Sequence, residues 1–320
     1  MTGVQTCALP ISNSVTSIAG YAFCSCPSLT SITIPNTVTS IGYSAFESCT
    51  SLASLTLPNS VTNIADYAFL SCANLTSVTL PNALPSIGIY EFDGCSRLAS
   101  LTIPNTVASI GAYAFSGCTS LTNVTIPAGV TNIGNYTFNA CTSLPGIMIP
   151  NRVASIGSSA FAGCTRLANI TIPGSVTNIG SYAFLSCTSL KGFYFKGDVP
   201  VVGSAAFYSD TQATIYYLPG NAAWAGYVAL FGPALYERIP VVLWNPQAQT
   251  GGATFGVRTN RFGFTITGTS SLVIVVEACT NLANPIWSPV GTNTLTGGSS
   301  YFSDPQWTNF PARFYRLRSP

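Results

Sequence analysis

The sequence predicts a mainly β fold: a solenoid of 23-residue coils with parallel strands, followed by a cap and a small antiparallel β-sandwich. Three observations predict it. Apolar residues and cysteines recur every 23 residues, prolines recur with the same period, and each unit holds a short alternating apolar and polar run. The apolar and cysteine columns are Leu29, Leu52, Leu75, Leu98, Leu121, Leu144, Leu167 and Leu190; Phe23, Phe46, Phe69, Phe92, Phe115, Phe138, Phe161, Phe184 and Phe207; and Cys26, Cys49, Cys72, Cys95, Cys118, Cys141, Cys164 and Cys187. Because these columns stay in phase, we expect identical side chains to stack in one continuous core.

Each coil is expected to contain a strand, a bend, a back segment and a turn. In one coil Val124 and Ile126 point one way and Thr125 between them points the other, which is the period of a strand. Pro127 cannot donate a ladder hydrogen bond, so it ends that strand. A second apolar pair, which includes Ile133, indicates an extended back segment. The stretch between the phenylalanine and cysteine columns is too short for a full helix and favours a tight or 3₁₀ turn.

Eight of the eleven cysteines occupy one column, with one cysteine per coil. This regularity favours packing, since a buried cysteine acts as a small hydrophobe. Disulfide bonds and metal binding are the alternatives that the sequence leaves open. No Cys-x-x-Cys pair occurs. The sequence therefore predicts no metal site.

Charged residues are scarce, at 6% of the chain with a net charge of +2, whereas 47% of the residues are hydrophobic. A net charge so close to neutral does not provide the basic surface that nucleic-acid binding requires. No apolar run approaches the roughly 18 residues that a spanning helix needs. The longest run, residues 272–276, ends at Glu277 and is expected to be a buried strand. The sequence thus predicts no nucleic-acid partner and no transmembrane segment.

The chain divides into a solenoid over residues 12–209, a cap and linker over residues 210–246, and a β-sandwich module over residues 247–320. The ninth coil departs from the repeat, with Lys196 in the proline column, as expected at the end of a repeat array. Aromatic residues of the second segment are expected to cover the last coil, an interpretation favoured over carbohydrate binding. The last segment alternates strand-like runs with Gly, Asn, Pro and Ser turns, the pattern of a small sandwich.

The first residues of the chain, MTGVQTCALPI at positions 1–11, fit neither the repeat nor a signal peptide, because they lack a basic start and a long apolar run. Read codon by codon, a common sequencing-adapter string encodes this peptide. We interpret it as an assembly artefact, in which case a signal peptide and further repeats are missing at the 5′ end of the gene. The nucleotide record of codons 1–11 tests this interpretation, which fails if those codons do not spell the adapter.

The segment SLTNVTIPAGVTNIGNYTF, followed by Cys141, resembles the BspA-type leucine-rich repeat, a class frequent in bacterial surface proteins. The resemblance covers residues 13–209. It implies a leucine-rich-repeat solenoid, a secreted or cell-surface location, and recognition of a protein or glycan, but it carries over no ligand residues. The tail segments VVEACTNLANPIWSPV, FSDP and FYRL resemble a C-terminal module of large secreted proteins of environmental bacteria.

The residues that usually carry catalysis are scarce. No histidine is present, which removes the most frequent general base and metal ligand. Glu91 and Asp93 are the only close acidic pair in the solenoid, where the next coil carries Ala114 and Ser116. Such a pair is ordinarily a solvated bend, so we expect no catalytic dyad there. No phosphate-binding or dinucleotide motif occurs, and the sequence predicts a protein without catalytic residues or cofactors.

The best candidate binding surface is the outward row along the strands. It comprises Thr33, Thr56, Thr79, Thr102, Thr125, Met148, Thr171 and Tyr194. Threonine favours strands and is soluble, so a polar row needs no ligand to explain it. Met148 and Tyr194 interrupt the row, and Glu91 and Asp93 interrupt their coil. We therefore expect specificity at these four positions and in the capping segment.

Three functions are compatible with the sequence. The first, favoured by the resemblance and by the extended surface, is a binding or adhesion module for a protein or glycan. The second is a structural spacer or scaffold within a larger secreted protein. The third is ice binding, which the regular Ser-x-Thr rows raise but a curved, interrupted face disfavours.

Overall fold

The computed structural model describes residues 11–210, 212–231, 234–235, 239–251, 255–258 and 261–320. All but the last residue of the predicted adapter peptide lies outside the described residues. The first strands in chain order are β1 (Ser17–Ile18), β2 (Ser40–Ile41), β3 (Ser54–Thr56), β4 (Asn63–Ile64), β5 (Ser77–Thr79), β6 (Ser86–Ile87), β7 (Ser100–Leu101), β8 (Ser109–Ile110), β9 (Asn123–Val124), β10 (Asn132–Ile133), β11 (Ser155–Ile156), β12 (Asn169–Ile172), β13 (Asn178–Ile179), β14 (Gly192–Phe195), β15 (Val201–Val202) and β16 (Thr214–Tyr217). After the helix α1 (Ala222–Phe231) come β17 (Ala234–Leu235), β18 (Ile239–Leu243), β19 (Gln247–Gln249), β20 (Gly256–Arg258), β21 (Arg261–Thr267), β22 (Val273–Cys279), β23 (Ser288–Thr294), β24 (Ser299–Asp304), a 3₁₀ turn (Trp307–Asn309) and β25 (Phe314–Arg318).

The solenoid strands lie at two equivalent positions of successive coils. The front strands are β3, β5, β7, β9, β12, β14, β16 and β18, and the back strands are β1, β2, β4, β6, β8, β10, β11, β13 and β15. Neighbouring coils pair in parallel with a shift of one repeat, as Ser54 does with Ser77 in front and Ser17 with Ser40 behind. The prediction of a parallel-strand solenoid with 23-residue coils is confirmed.

The core is a set of stacked side-chain columns. Successive phenylalanine rings from Phe23 to Phe207 lie 5.1–5.9 Å apart between centroids, with planes within 14° of parallel. The leucine column beside them is buried, as at Leu121. Each ring contacts its equivalents above and below, so the phenylalanine column joins the coils into one core.

The buried thiols of the cysteine column also connect neighbouring coils. The thiol of Cys72 donates to the carbonyl oxygen of Phe46, at 3.1 Å, and the thiol of Cys118 donates to that of Phe92, at 3.2 Å. Burial raises the pKa of Cys72 to about 12. Seven members of the column are free, buried thiols with this bond: Cys49, Cys72, Cys95, Cys118, Cys141, Cys164 and Cys187. The packing interpretation is confirmed for these seven.

We expect iodoacetamide to spare those seven cysteines in the native protein at neutral pH, because a buried, protonated thiol is a poor nucleophile. Cys24 is partly exposed and free, so it serves as the internal control and should be alkylated. Peptide mass spectrometry after a timed reaction measures both. Alkylation of the column at the rate of Cys24 would contradict the packing described above.

The solenoid continues into the segment predicted to be its cap. β16 pairs in parallel with β14, and β18 pairs with β16, so the front ladder extends to Leu243. Trp224 of α1 is fully buried, and its indole N–H donates to the carbonyl oxygen of Gly197 at 2.9 Å. Its ring lies 5.1 Å from that of Phe195. This tryptophan therefore covers the core behind the last coils.

The C-terminal module consists of two antiparallel sheets. β21 pairs with β19 and β20 on one edge and with β24 on the other, whereas β22 lies between β23 and β25. Ile266, Val276 and Leu295 are buried in the module. The expectation of antiparallel strands after residue 246, with a buried strand at 272–276, is confirmed. Among the described residues no helix has the length and apolarity to cross a membrane.

Candidate functional site

The front strands present an open row of side chains over the first six coils. Thr79, Thr102 and Thr125 are exposed, and Met148 is 80% exposed. The residues between them point inward, as Leu101 and Val124 do. The two-residue period of the strand thus places the predicted row on the surface.

The hydroxyl groups of the open row differ from those of other threonines in the coils. Thr76 and Thr122 donate to the carbonyl oxygens of Ala53 and Ala99 in the preceding coil, at 2.9 and 3.1 Å. Within the described part of the chain, no such bond uses the side chains of the row members. These are Thr33, Thr56, Thr79, Thr102 and Thr125. The hydroxyls of the row are therefore available to a partner, whereas the others stabilise the stacking of coils.

Met148 lies at a break in the front ladder. No front strand is assigned between β9 and β12, and the intervening coil carries Pro145 and Gly146 where the preceding coil carries Thr122 and Asn123. Thr122 donates its N–H to the carbonyl of the preceding coil, and a proline cannot. Loss of this bond interrupts the ladder where the largest exposed apolar side chain of the row stands.

The far end of the row is covered, which corrects the expectation for Tyr194. Tyr194 is only 3% exposed because the C-terminal module packs over it, together with Tyr216 at a ring distance of 4.9 Å. Thr171 is half-buried, and its hydroxyl donates to the carbonyl oxygen of Pro320 at 3.2 Å. Sequence periodicity placed both residues on the strand face, but it could not show that a later segment folds back onto that face.

Glu91 is fully buried, so the expectation of a solvated bend is wrong for this residue. Its side chain occupies the column of Ala68 and Ala114. One carboxylate oxygen accepts the N–H of Gly88 at 2.5 Å, and the other has no hydrogen-bond partner in the described residues. Burial, with a smaller contribution from the charge of Asp66, raises the pKa of Glu91 to about 8.

Asp93 lies in a different environment from Glu91. It is only partly buried. Burial raises the pKa of its carboxyl, and hydrogen bonds from Ser116 and Gly94 oppose that change. The hydrogen-bond partners of the two acids differ, with Gly88 for Glu91 and Ser116 and Gly94 for Asp93. Among the described residues, no group of three or more Asp, Glu, Cys or His side chains is arranged to hold a metal ion.

A row of neighbouring tyrosine rings along one edge of the solenoid, stacked from Tyr67 to Tyr136, is a surface that sequence reasoning missed. Its members are Tyr21, Tyr43, Tyr67, Tyr90, Tyr113 and Tyr136, with successive ring centroids 4.3–5.5 Å apart. Tyr67 and Tyr113 have φ of 63° and 60°, in the left-handed region that bulky residues rarely adopt. Partial burial, together with the neighbouring phenols, raises the pKa of Tyr113 to about 12. The recurrence of tyrosine two residues before phenylalanine, or three in the case of Tyr43, was the available signal.

The charge of the solenoid is uneven along its axis. Glu47, Asp66, Glu91 and Asp93 lie in the first coils, and the first basic residue of the chain is Arg97. Glu47 and Asp66 both contribute to raising the pKa of Tyr43, after burial and the neighbouring tyrosines. The tyrosine edge is therefore acidic at its N-terminal end, a character that the small net charge of the whole chain conceals.

Comparison with known proteins identifies the same type of repeat. A family profile described as the BspA type leucine rich repeat region matches residues 4–119 and 85–214, with six copies, and so spans about two thirds of the chain. A leucine rich repeat protein from T. pallidum, whose crystal structure is known, is 35% identical over 48% of this chain and 72% of that one, with a TM-score of 0.45.

Two further solved structures are more distant. A leucine-rich repeat protein from Bacteroides ovatus is 24% identical, over 74% of this chain and 77% of that one, with a TM-score of 0.41. A leucine rich cell surface protein from Faecalibacterium prausnitzii is 23% identical, over 67% and 79%, with a TM-score of 0.34. No curated protein matches the chain at a significant level.

Proposed function

The chain belongs to the BspA-type leucine-rich repeat family, and from this membership we propose that it is a non-enzymatic binding module, secreted or at the cell surface. It recognises a protein or glycan through the open part of the front face, from Thr33 to Met148. Repeat solenoids use extended faces of this kind to contact partners. The absence of histidine and the separation of Glu91 from Asp93 give no support to a catalytic role.

The observation that carries the proposal is the division between two sets of threonines. One set, such as Thr76, bonds to the preceding coil, and the other, such as Thr79, has a free hydroxyl on the front face. Solubility alone does not explain the exposed Met148 in this row, because its apolar side chain makes no hydrogen bond and is surrounded by water. We therefore place the centre of the recognition surface at the coils of Thr102, Thr125 and Met148.

An array of extracellular-matrix proteins and glycans, probed with the wild-type chain, identifies a partner. The variant Thr102→Lys with Met148→Lys places two long cationic side chains on the front face. We expect it to bind the array partner at least about tenfold more weakly, because it adds charge and bulk at the contact surface. Titration by biolayer interferometry measures the loss.

The matched control is Asn63→Lys with Ser109→Lys, which adds the same charge at exposed positions of the back strands. Both double variants should keep the melting temperature of the wild type within a few degrees, since all four sites are exposed. Equal loss of binding in the two variants would point to a charge effect and contradict the front-face assignment. A blank array would favour the spacer, and thermal hysteresis would favour ice binding.

A further inference from the structure

A cavity of about 220 Å³ lies where the C-terminal module meets the last front strands. Tyr194 and Tyr216, with nearly parallel rings, line it together with Trp244. Both tyrosines are buried in the junction. Sites between two structural units are frequent places for small ligands, and this volume is below the roughly 300–1,000 Å³ of sites for drug-sized molecules. The cavity therefore suits an occupant about the size of one sugar ring.

The cavity is lined by basic and not by acidic residues. Lys196 and Arg318 both border it, and Lys196 makes no ion pair with any described residue. Arg318 donates to Glu277 at 2.5 Å, and Arg316 donates to the same carboxylate at 2.7 Å. The guanidinium of Arg318 also donates to the carbonyl oxygen of Ser319 at 2.7 Å, so it is held at the cavity wall, and Lys196 is the lining cation without an ion-pair partner in the described part of the chain. An anionic group on the occupant would complete this arrangement.

The indole N–H of Trp244 supplies an independent indication of a ligand. The nitrogen atom is buried and has no acceptor among the described residues. Buried donors are almost always satisfied, because a donor that loses water without gaining an acceptor destabilises the fold. An oxygen atom of a bound molecule would accept this hydrogen bond.

We propose that the cavity binds a single acidic sugar of the hexuronic acid class. The carboxylate lies between Lys196 and Arg318, the C–H face of the ring packs on the tyrosine and tryptophan rings, and a hydroxyl oxygen accepts from the indole of Trp244. This site goes beyond the function proposed above and does not depend on it. It uses residues of the junction, whereas the open front row ends before Thr171.

The departures from the repeat at this end support the assignment. Tyr194 replaces the threonine of the front row, and Lys196 replaces the proline that ends the strand in earlier coils. Neither change is needed to close the core, because Phe193 and Phe195 of the same strand already point into it. Both changes instead provide groups that line the cavity.

Saturation-transfer difference NMR with the purified chain tests the proposal. The probes are sodium D-glucuronate and D-glucose at equal ionic strength, with sodium phosphate as competitor. We expect glucuronate to bind and glucose to bind at least roughly tenfold more weakly, because glucose leaves the ammonium group of Lys196 without an anionic partner. Phosphate should displace glucuronate only at a large molar excess.

The variants Lys196→Gln and Trp244→Phe should each weaken glucuronate binding roughly tenfold. Lys196 is exposed, so its variant is expected to fold, and circular dichroism verifies both. The control is Arg152→Gln, which removes an exposed cation far from the cavity and should leave binding unchanged. No binding of glucuronate, equal binding of glucose, or displacement by equimolar phosphate would overturn the proposal.

Discussion

Replacement of Phe115 by alanine is expected to destabilise the protein by about 3–5 kcal/mol, the largest loss that we predict. Phe115 is fully buried, and its ring stacks on those of Phe92 and Phe138 at 5.7 and 5.4 Å. Removing the ring leaves a cavity between two coils that the fixed 23-residue register prevents from closing. Urea denaturation, followed by circular dichroism, measures the free energy of unfolding.

The matched control for this prediction is Thr125→Ala in the same region, an exposed residue of the front row. We expect its effect to stay within about 0.5 kcal/mol, since surface changes without a structural role rarely exceed that. A loss below about 1 kcal/mol for Phe115→Ala would show that the stacked column does not hold the coils together. A similar loss in both variants would indicate that this part of the solenoid is sensitive to any substitution, and not to the loss of the stacked ring in particular.

Replacement of Glu91 by glutamine is expected to stabilise the protein, by about 3 kcal/mol at pH 7. The folded-state pKa of Glu91 is about 8, above its ordinary value of 4.5. Well below pH 4.5 the carboxyl is protonated in both the folded and the unfolded chain, so its ionisation does not change the free energy of unfolding. As the pH rises from there, the unfolded chain ionises first, so the wild type loses stability until the folded pKa is passed.

The difference in unfolding free energy between Glu91→Gln and the wild type should therefore be small at pH 4 and grow up to about pH 8. Glu91→Ala, which restores the residue of the neighbouring coils, should show the same trend. Glu47→Gln provides the control, because it removes a carboxylate from a half-buried position of the same solenoid. A pH-independent difference for Glu91→Gln would contradict a buried, protonated carboxyl.

The repeat made most of the fold predictable. A period of 23 residues defines which side chains stack, and the strand alternation around Thr125 defines which point outward. Both depend only on the spacing of residues along the chain, so they can be predicted from the sequence alone. The free threonines of the front row and the buried cysteines lie where that spacing places them.

Residue type and repeat position alone do not predict the surroundings that other parts of the chain supply. Glu91 looked like a surface acid because the type of residue indicated exposure, yet its place in the alanine column lies inside the coil. Tyr194 looked like a surface contact because the repeat places its equivalents outside. The tyrosine edge has nearly the same period as the phenylalanine column, so the repeat did carry a signal for it.

The sequence by itself determined the solenoid, its register and its core, because each coil repeats the same local pattern and parallel stacking follows from it. Only the tertiary structure decided how much of the front face is open. The C-terminal module packs over Tyr194 and Thr171 and forms a basic, aromatic cavity there with Lys196 and Trp244. That contact joins residues more than one hundred positions apart, outside the repeat, so no periodicity along the chain encodes it.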